Sequence, residues 1–339
     1  MKASQNYCNH ECAEVSVTGA SGYLGRALID DLARSGICFS ALVHSTHEPD
    51  NNQGSYVRGD LLQRESLSGW LRDNQTVIHL AYMWSAGESA NIEATRNLLA
   101  ACRDAGVRRI VHVSTAAVVG RADKPWVDEA TPCNPATEYG RTKLAIEQLM
   151  RDFSASCDVD VVLLRPTSVF GPGGAPLEKL CRDLRQQGWP KNYLRASLFG
   201  RRTTNLVHIE NVVAAIRFAI DYPGRFAGET LIVSDDDAPA NNFRDVEMIV
   251  RDVFQLGNYP VSLVPFPRVV LEAFLHAMRR NIVDTRCRFS SARIRELGFV
   301  PPMPFEQGLR SYAEWAKGSN RARVYGTRHR PGGNQGGSD

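Results

Sequence analysis

The 339-residue chain has no apolar run approaching the roughly 20 residues that a membrane-spanning helix needs. Its first residues, MKASQNYCNHEC, are polar and lack the apolar core of a secretory signal. It also lacks a strong charge of either sign, because a net charge of +3 is too small to indicate a polyanionic partner. These absences predict a cytoplasmic protein that binds neither nucleic acid nor membrane.

Metal ligands are also scarce. Cys8, His10 and Cys12 lie near one another, but zinc sites usually space their ligands further apart and add a second ligand pair. No such pair follows nearby, so we predict no bound metal.

From Glu14 onward, short β-branched runs alternate with longer helical patterns. Strands separated by helices of about ten residues or more imply a parallel sheet with right-handed crossovers. The pattern therefore predicts an α/β fold with a doubly wound parallel sheet. The predicted strands are 14–17, 38–43, 76–81, 109–114 and 160–165, and the predicted helices are 23–36, 61–71, 91–104 and one that begins at Tyr139.

The alternation weakens after Gly171, where proline and glycine become frequent. A helix over 177–187 and apolar runs at 205–209 and 229–234 indicate a smaller lobe interleaved with returns to the sheet. Both chain ends have little apolar surface to bury and are predicted to be disordered. The predicted parts are a disordered N-terminus (1–13), a dinucleotide-binding domain (14–170, with returns near 205–235), a substrate lobe (171–204 and 236–318) and a disordered tail (319–339).

The turn between the first strand and the first helix, TGASGYLG, carries three glycines at the spacing of a phosphate-binding loop. Gly19 permits the tight turn, Gly22 lets the backbone approach a pyrophosphate, and Gly25 lets the helix pack closely on the strand. The helix N-terminus attracts negative charge. We therefore predict a dinucleotide site at this turn.

The end of the second strand distinguishes NAD from NADP, since a carboxylate there would bind the ribose 2′-hydroxyl of NAD. That position holds Val43, followed by His44 and Ser45. No acid stands there to repel a 2′-phosphate, and His44 can assist one. The predicted cofactor is NAD or NADP, with NADP slightly favoured.

The stretch EYGRTK places Tyr139 and Lys143 on one face of an amphipathic helix. A free tyrosine has a pKa of about 10, too high for an efficient base at neutral pH, and a neighbouring ammonium would lower it. The pair therefore predicts proton transfer by Tyr139 with help from Lys143. The alternative is two surface side chains on a helix, and the glycine loop weighs against it.

Further motifs follow in order along the chain: GDL (59–61), HLA (79–81), TRNLL (95–99), VSTAAVVG (113–120), LRPTSVFGPGG (164–174), NLVHIENVVAAI (205–216) and FEQGLRSYAEW (305–315). Together with the glycine loop and YGRTK, they resemble the extended short-chain dehydrogenase/reductase family, the sugar-nucleotide epimerases and dehydratases in particular. The resemblance covers about residues 14–317. It implies a Rossmann fold, a nicotinamide cofactor and hydride transfer at a hydroxyl or ketone carbon.

By this resemblance, Thr115 orients the substrate oxygen, Tyr139 moves the proton, and Lys143 also holds the nicotinamide ribose. Ser114 is the less favoured candidate for the catalytic hydroxyl, because neighbouring side chains of a strand turn opposite ways. The residues implied to bind the cofactor are Gly19, Ser21, Gly22, Tyr23, Leu24, Gly25, His44, Asp60, Leu61, Leu80, Ala81, Tyr82, Asn91, Tyr139, Lys143, Pro166 and Thr167. Those implied to bind the substrate are Thr115, Ser168, Arg202 and Asn205.

Three departures from the family pattern bear on the reaction. Dehydratases carry an Asp-Glu pair where this chain has Ala116 and Ala117, so 4,6-dehydration is not expected. The segment between Ala81 and Asn91 is shorter than in typical sugar-nucleotide epimerases, where it reaches the substrate.

The third departure concerns substrate contacts. Ser168 replaces an Asn that often meets substrate, and Thr204 stands where an Arg commonly grips the nucleotide diphosphate. Arg201 and Arg202 lie close by and are candidates to substitute for it.

The leading hypothesis is a 4-epimerase or 4-ketoreductase of a nucleotide-activated sugar. One alternative is a reductase of bulky apolar ketones, similar to the hydroxysteroid and dihydroflavonol branch, with a pocket lined by the runs 261–266 and 269–275. Another is a cofactor-sensing regulator without turnover, although such relatives usually lose the Tyr or the Lys. Family members often dimerise through helices that match 91–104 and 139–152, so a homodimer is expected.

Overall fold

The computed structural model describes residues 14–44, 54–73, 75–120, 124–267 and 286–326, together with residues 122, 269 and 271. The strands are β1 (Val15–Thr18), β2 (Phe39–Val43), β3 (Gly54–Arg58), β4 (Thr76–His79), β5 (Arg109–Val113), β6 (Trp126–Val127), β7 (Asp160–Pro166), β8 (Ser168–Phe170), β9 (Leu206–His208), β10 (Glu229–Val233) and β11 (Arg288–Phe289). The helices are α1 (Tyr23–Arg34), α2 (Gly87–Asp104), α3 (Glu138–Ser156), α4 (Glu178–Gln186), α5 (Trp189–Phe199), α6 (Ile209–Asp221), α7 (Phe243–Phe254), α8 (Ala292–Glu296) and α9 (Phe305–Gly326).

Seven parallel strands form the central sheet in the order β3-β2-β1-β4-β5-β7-β10. The chain builds outward from β1 to one edge and then from β4 to the other, so the order reverses between these two strands. In open sheets of this kind, ligands bind outside the carboxyl ends of the strands at the reversal. The predicted α/β fold with a doubly wound parallel sheet is confirmed.

Helices cover both faces of the sheet because neighbouring strand residues point to opposite sides. In β5, for example, Val111 packs with the apolar stripes of α1 and α6, whereas Ile110 packs with those of α2 and α3. Each fully buried aliphatic side chain contributes about 2 kcal/mol by leaving water. These two helical layers fix the positions of β1, β4 and β5. The carboxyl ends of β1 and β4 border the crevice at the point where the strand order reverses.

A separate apolar cluster lies outside the sheet and is built from β8, α4, α7 and α9. Its fully buried members include Phe170, Val250, Leu309 and Tyr312. Within the described part of the chain, no helix combines the length and the apolarity needed to cross a bilayer.

One predicted return to the sheet is wrong. The run 205–209 forms β9, which pairs with β8 in a two-stranded parallel unit away from the central sheet. The backbone turns sharply at Asn205, whose φ of +50° is left-handed. The run 229–234 does join the sheet, as β10 at its edge.

The predicted helix over 61–71 is also wrong, since the structure has only a short 3-10 turn at Arg64–Leu67. The Ser66 hydroxyl donates to the carbonyl of Gln63 at 2.7 Å, which favours a turn over helix continuation. Gly69 then adopts a φ of +76°, which an α-helix does not allow.

The last helix differs from prediction at its end. α9 continues to Gly326, into the segment 319–339 that was expected to be disordered. Arg321, Ala322 and Arg323 are good helix formers, so the helix extends past the last core residues. The predicted N-terminal disorder and most of the apolar run 269–275 fall outside the described residues.

Candidate active site

The glycine loop joins β1 to α1 at the crevice. Gly19 has a φ of +75°, and a Cβ there would lie 2.7 Å from the Ala81 nitrogen. A Cβ on Gly25 would overlap the carbonyl oxygen of Gly19. The first turn of α1 carries no acidic side chain, so its free N–H groups remain available to an anion. The loop therefore fits the pyrophosphate of a dinucleotide.

A cavity of about 660 Å³ runs from this loop along the ends of the central strands. It is large enough for a small-molecule ligand. The predicted cofactor residues that line it are Gly19, Ser21, Gly22, Tyr23, Leu24, Gly25, His44, Asp60, Leu61, Leu80, Ala81, Tyr82, Tyr139 and Lys143.

Three predicted cofactor residues are not among those described as lining this cavity. The Asn91 side chain, which belongs to α2, bonds the loop before that helix. Its oxygen accepts from the Met83 nitrogen at 2.8 Å, and its nitrogen donates to the Met83 oxygen at 3.0 Å. Pro166 and Thr167 are buried at the end of β7. In the described structure the Thr167 hydroxyl has no hydrogen-bond partner.

His44 has an acidic neighbour that the second strand alone does not reveal. Its Nε2 lies 3.8 Å from a carboxylate oxygen of Asp60, which follows β3. The other carboxylate oxygen accepts from the Leu62 nitrogen at 2.9 Å. A carboxylate therefore stands beside His44 in the lining of the cavity after all, contributed by the residue that follows the next strand.

Tyr139 lines the opposite end of the cavity, and Thr115 lies beside it, outside the described lining. The Thr115 hydroxyl is close enough to the Tyr139 phenol to lower its pKa, and it accepts from the Ala117 nitrogen at 3.2 Å. Ser114 turns away, and its hydroxyl donates to Glu147 at 2.6 Å. The structure thus brings Thr115, and not Ser114, to the tyrosine.

The expected lowering of the tyrosine pKa by Lys143 is not found. Burial raises the pKa of Tyr139 to about 12, although the hydrogen bond from Thr115 opposes this shift. The Lys143 ammonium instead donates to the Val113 carbonyl at 3.0 Å and lies 5.5 Å from the centre of the Tyr82 ring. Burial lowers the pKa of Lys143 to about 8, and the Glu147 carboxylate opposes that change.

Two aromatic side chains lie against the Tyr139 phenol. The Trp84 indole stacks on Tyr139 with 4.8 Å between centroids, and Tyr82 meets both rings edge-on. Trp84 is nevertheless 76% exposed, so one of its faces remains open. Sequence reasoning named only Tyr82, and the available signal was the pair of aromatic residues in AYMWS directly after β4.

Two histidines lie side by side beneath this end of the cavity. His79 and His112 occupy paired positions in β4 and β5, with 5.1 Å between ring centroids. His79 Nδ1 lies 2.8 Å from the Thr18 hydroxyl oxygen, whereas neither ring nitrogen of His112 has a partner in the described structure. Burial, aided by the Lys143 charge, lowers the pKa of both imidazoles.

The remaining predicted substrate residues do not join this cavity, whose described lining includes none of them. Asn205 donates to Asp236 at 2.6 Å and to the Cys287 carbonyl at 2.8 Å. Arg202 places its guanidinium 5.9 Å from the centre of the Phe199 ring. Ser168 is exposed on β8.

No three His, Cys, Asp or Glu side chains come together as metal ligands among the described residues. The stretch with Cys8, His10 and Cys12 lies outside them.

Comparisons with known proteins identify the family of this chain and its relatives. The model of the NAD dependent epimerase/dehydratase family matches residues 15–233. A Stigmatella aurantiaca protein named 4-hydroxy-2-methyl-3-oxo-4-farnesyl-3,4-dihydroquinoline-1-oxide ketoreductase is 29% identical over 328 residues, covering 86% of this chain and 93% of the relative. A UDP-glucose 4-epimerase of Vibrio cholerae is 26% identical over 324 residues, covering 88% and 94%.

Among solved structures, a short-chain dehydrogenase/reductase superfamily protein from Agrobacterium tumefaciens with bound NAD is 25% identical. It has a TM-score of 0.67 and covers 93% of this chain and 99% of its own.

Proposed function

The chain belongs to the NAD dependent epimerase/dehydratase family, and within it we propose a reductase that converts a ketone on a bulky apolar molecule to a secondary alcohol. The observation that carries the proposal is the Tyr139 phenol, which lies at the end of the dinucleotide cavity against the Trp84 and Tyr82 rings and next to the Thr115 hydroxyl.

Two hydroxyl groups are placed to hold a carbonyl oxygen. The Thr115 hydroxyl lies close enough to the Tyr139 phenol to influence its pKa, so a carbonyl oxygen placed between them can accept from both. A reduced nicotinamide bound in the cavity would supply the hydride for the carbonyl carbon. Tyr139 donates its proton to the oxygen, which completes the alcohol. Lys143, which also lines the cavity, is assigned to the nicotinamide ribose.

Burial raises the pKa of Tyr139, so the phenol carries its proton at neutral pH and can give it to the oxygen of a ketone as that ketone is reduced. Oxidation of an alcohol, the first half of an epimerisation, instead needs a base at this position. The direction of the shift supports the reductive step, which a ketoreductase and an epimerase share.

The surroundings of the phenol favour an apolar substrate. Trp84 and Tyr82 present ring faces and edges beside Tyr139, and the open face of Trp84 offers apolar area to a ligand. Asn205, a candidate for substrate contact, already bonds Asp236. The name of the Stigmatella relative, a farnesyl-bearing quinoline oxide ketoreductase, describes a substrate of this kind.

A nucleotide-activated sugar is the second candidate, as substrate of a 4-epimerase or 4-ketoreductase. The name of the Vibrio relative supports it. Arg201 is exposed beside Arg202 and offers a charge to a diphosphate. Dehydration stays disfavoured, because Ala116 and Ala117 hold no proton to transfer.

For the cofactor we propose NAD. Asp60, beside His44, can accept a hydrogen bond from the ribose 2′-hydroxyl and would repel a 2′-phosphate. The Agrobacterium structure contains NAD. The slight preference for NADP rested on an absent acid at the end of β2 and loses that support.

A homodimer is also proposed. α2 and α3, the helices expected to form the interface, lie side by side on one face of the sheet. Light scattering that finds only a monomer would contradict it.

The deciding experiment begins with denaturing the purified protein and identifying released nucleotide by mass spectrometry. An epimerase must keep its cofactor through both half-reactions, so tightly held NAD would support the second candidate. Protein that releases no nucleotide should then oxidise NADH at 340 nm with a bulky cyclic ketone, and not with UDP-4-ketohexose. Tight NADH binding without turnover of either substrate would contradict both candidates and support a regulator.

A further inference from the structure

A buried carboxylate behind the active site contacts three different elements. Both oxygens of Glu147 are bonded to Arg165, from Nε at 2.9 Å and from Nη2 at 2.6 Å. The Ser114 hydroxyl donates to it at 2.6 Å and Arg151 at 3.0 Å. Glu147 has no exposed surface, and the Arg165 side chain is 3% exposed. A charge held this tightly fixes the groups around it, because leaving any of them unpaired is costly.

The partners of Glu147 adjoin the reacting residues along the chain. Glu147 follows Lys143 by one turn of α3 and Tyr139 by two. Ser114 directly precedes Thr115, at the end of β5. A single carboxylate thus ties the helix that carries Tyr139 to the strand end that carries Thr115. The distance between Thr115 and Tyr139 depends on how these two elements are placed.

The same carboxylate sets the charge around Lys143. The groups that face this ammonium are His79 from β4, His112 from β5, Tyr82 from the loop after β4, and Tyr139 and Glu147 from α3. Burial favours the neutral form of both imidazoles, so neither of them balances the positive charge of Lys143. Glu147 is the carboxylate that opposes the loss of the Lys143 proton.

We propose that Glu147 is a positioning residue for the reaction: it holds Thr115 against Tyr139 through Ser114 and keeps Lys143 charged from one turn away. This inference rests on the proposed roles of Thr115, Tyr139 and Lys143 in hydride transfer. It does not depend on which ketone is the substrate.

The first test measures the charge of Lys143 without any substrate. The chain has six lysines, so protein labelled with 13C at lysine Cε should give few NMR signals, and Lys143→Arg assigns the one of interest. In the wild-type protein we expect this signal to titrate near pH 8. In Glu147→Gln it should titrate at lower pH, because the neutral amide no longer favours the ammonium while Arg165 and Arg151 remain.

A matched control separates this effect from general loss of stability. Asp183 is another buried carboxylate that pairs with an arginine, Arg195, at 2.7 Å, but it lies in α4 and away from Lys143. Asp183→Asn should leave the titration of Lys143 unchanged. A shift of equal size in both variants, or none in Glu147→Gln, would overturn the role in holding the charge.

Glu147→Gln leaves Arg165 buried without its carboxylate and can prevent folding. In that event the double variant Glu147→Gln with Arg165→Met removes both charges, which proteins tolerate better. A smaller downward shift of the Lys143 signal is expected there, because the Arg165 charge is removed along with the carboxylate while Arg151 remains. An unshifted signal would again overturn the proposal.

The second test concerns the placement of Thr115. Ser114→Ala removes one hydrogen bond to Glu147 and leaves its carboxylate paired with Arg165. We expect kcat to fall several-fold, with KM for the ketone and the titration of Lys143 unchanged. Unaltered kcat would contradict the positioning role. If no ketone is turned over even by the wild-type protein, the proposed reaction fails, while the NMR titration still decides the role of Glu147 at Lys143.

Discussion

The Trp84 indole lies nearly parallel to the Tyr139 phenol ring, with 20° between the two planes and 4.8 Å between the ring centroids. One indole face is thus occupied by the residue proposed to move the proton, while most of the side chain stays open to solvent. Large apolar faces left open beside a reacting group are typical of ligand contacts.

Replacing Trp84 tests whether that open face binds the substrate. Trp84→Ala should lower kcat/KM for a bulky apolar ketone about 2- to 10-fold, the range expected for a lost aromatic contact. Trp84→Phe should retain most of the activity. Trp126, exposed on β6 and not among the described lining residues, provides the control, since Trp126→Ala should change nothing. Equal losses in the two alanine variants would rule out a specific contact.

Removing the phenol hydroxyl should abolish proton transfer but not cofactor binding. Tyr139→Phe is expected to lower kcat about 10²- to 10⁴-fold, as loss of a positioned acid does. The Kd for NADH, measured by fluorescence titration, should stay within about twofold because the ring and its stacking remain. Tyr222→Phe, at the far end of α6, serves as the control. Undiminished turnover in Tyr139→Phe would remove this residue from the mechanism.

The carboxylate of Asp60 should decide the choice between the two nicotinamide cofactors. Asp60→Asn keeps an oxygen for the Leu62 nitrogen but removes the negative charge beside His44. We expect the ratio of Kd for NADPH to Kd for NADH to fall several-fold, because a 2′-phosphate is no longer repelled. An unchanged ratio would show that Asp60 does not meet the ribose.

The paired histidines should make the fold sensitive to acid. Burial lowers the pKa of His79 to about 3 and that of His112 well below its usual value. In the unfolded chain both histidines are protonated below about pH 6.5, whereas in the folded chain they stay neutral to much lower pH. Their neutral form therefore costs the fold no stability above pH 6.5, and the free energy of unfolding decreases as the pH falls from 6.5 towards 3.

Below pH 6.5, each such histidine lowers the free energy of unfolding by about 1.4 kcal/mol for every pH unit. Asp235 and Asp236 act in the opposite sense, since burial raises the pKa of both to about 6. Comparison of variants isolates the histidine contribution: urea unfolding of His112→Leu should show a shallower decline from pH 6.5 to pH 4 than the wild-type protein. Parallel curves would mean that His112 is protonated in the fold.

Much of this architecture follows from local patterns. The glycine loop, the alternation of strands and helices, and the position of Tyr139 on α3 are encoded within short windows, and the structure places them as predicted. The proximity of His44 to Asp60, by contrast, joins β2 to β3, and no window around either residue reveals it.

The errors at β9, Tyr139 and Trp84 share one physical cause, which is that contacts distant in sequence override local preference. β9 resembles a sheet strand locally, yet it pairs with β8. The phenol of Tyr139 has Lys143 one turn away, yet burial under Tyr82 and Trp84 decides its pKa. Trp84 was not predicted as a site residue for the same reason, since only the fold brings the loop after β4 into contact with α3.

The strand order also has a consequence for how the chain folds as it is made. β7 pairs with β10, and residues 167–228 must be synthesised between them. At about 5–20 residues per second, the edge of β7 stays uncovered on the ribosome for roughly 3–12 s. Every residue of β7 is buried in the finished protein. In the nascent chain the unpaired edge of this strand is therefore open to pairing with other chains. A chaperone that binds extended apolar segments would find its main opportunity in that interval.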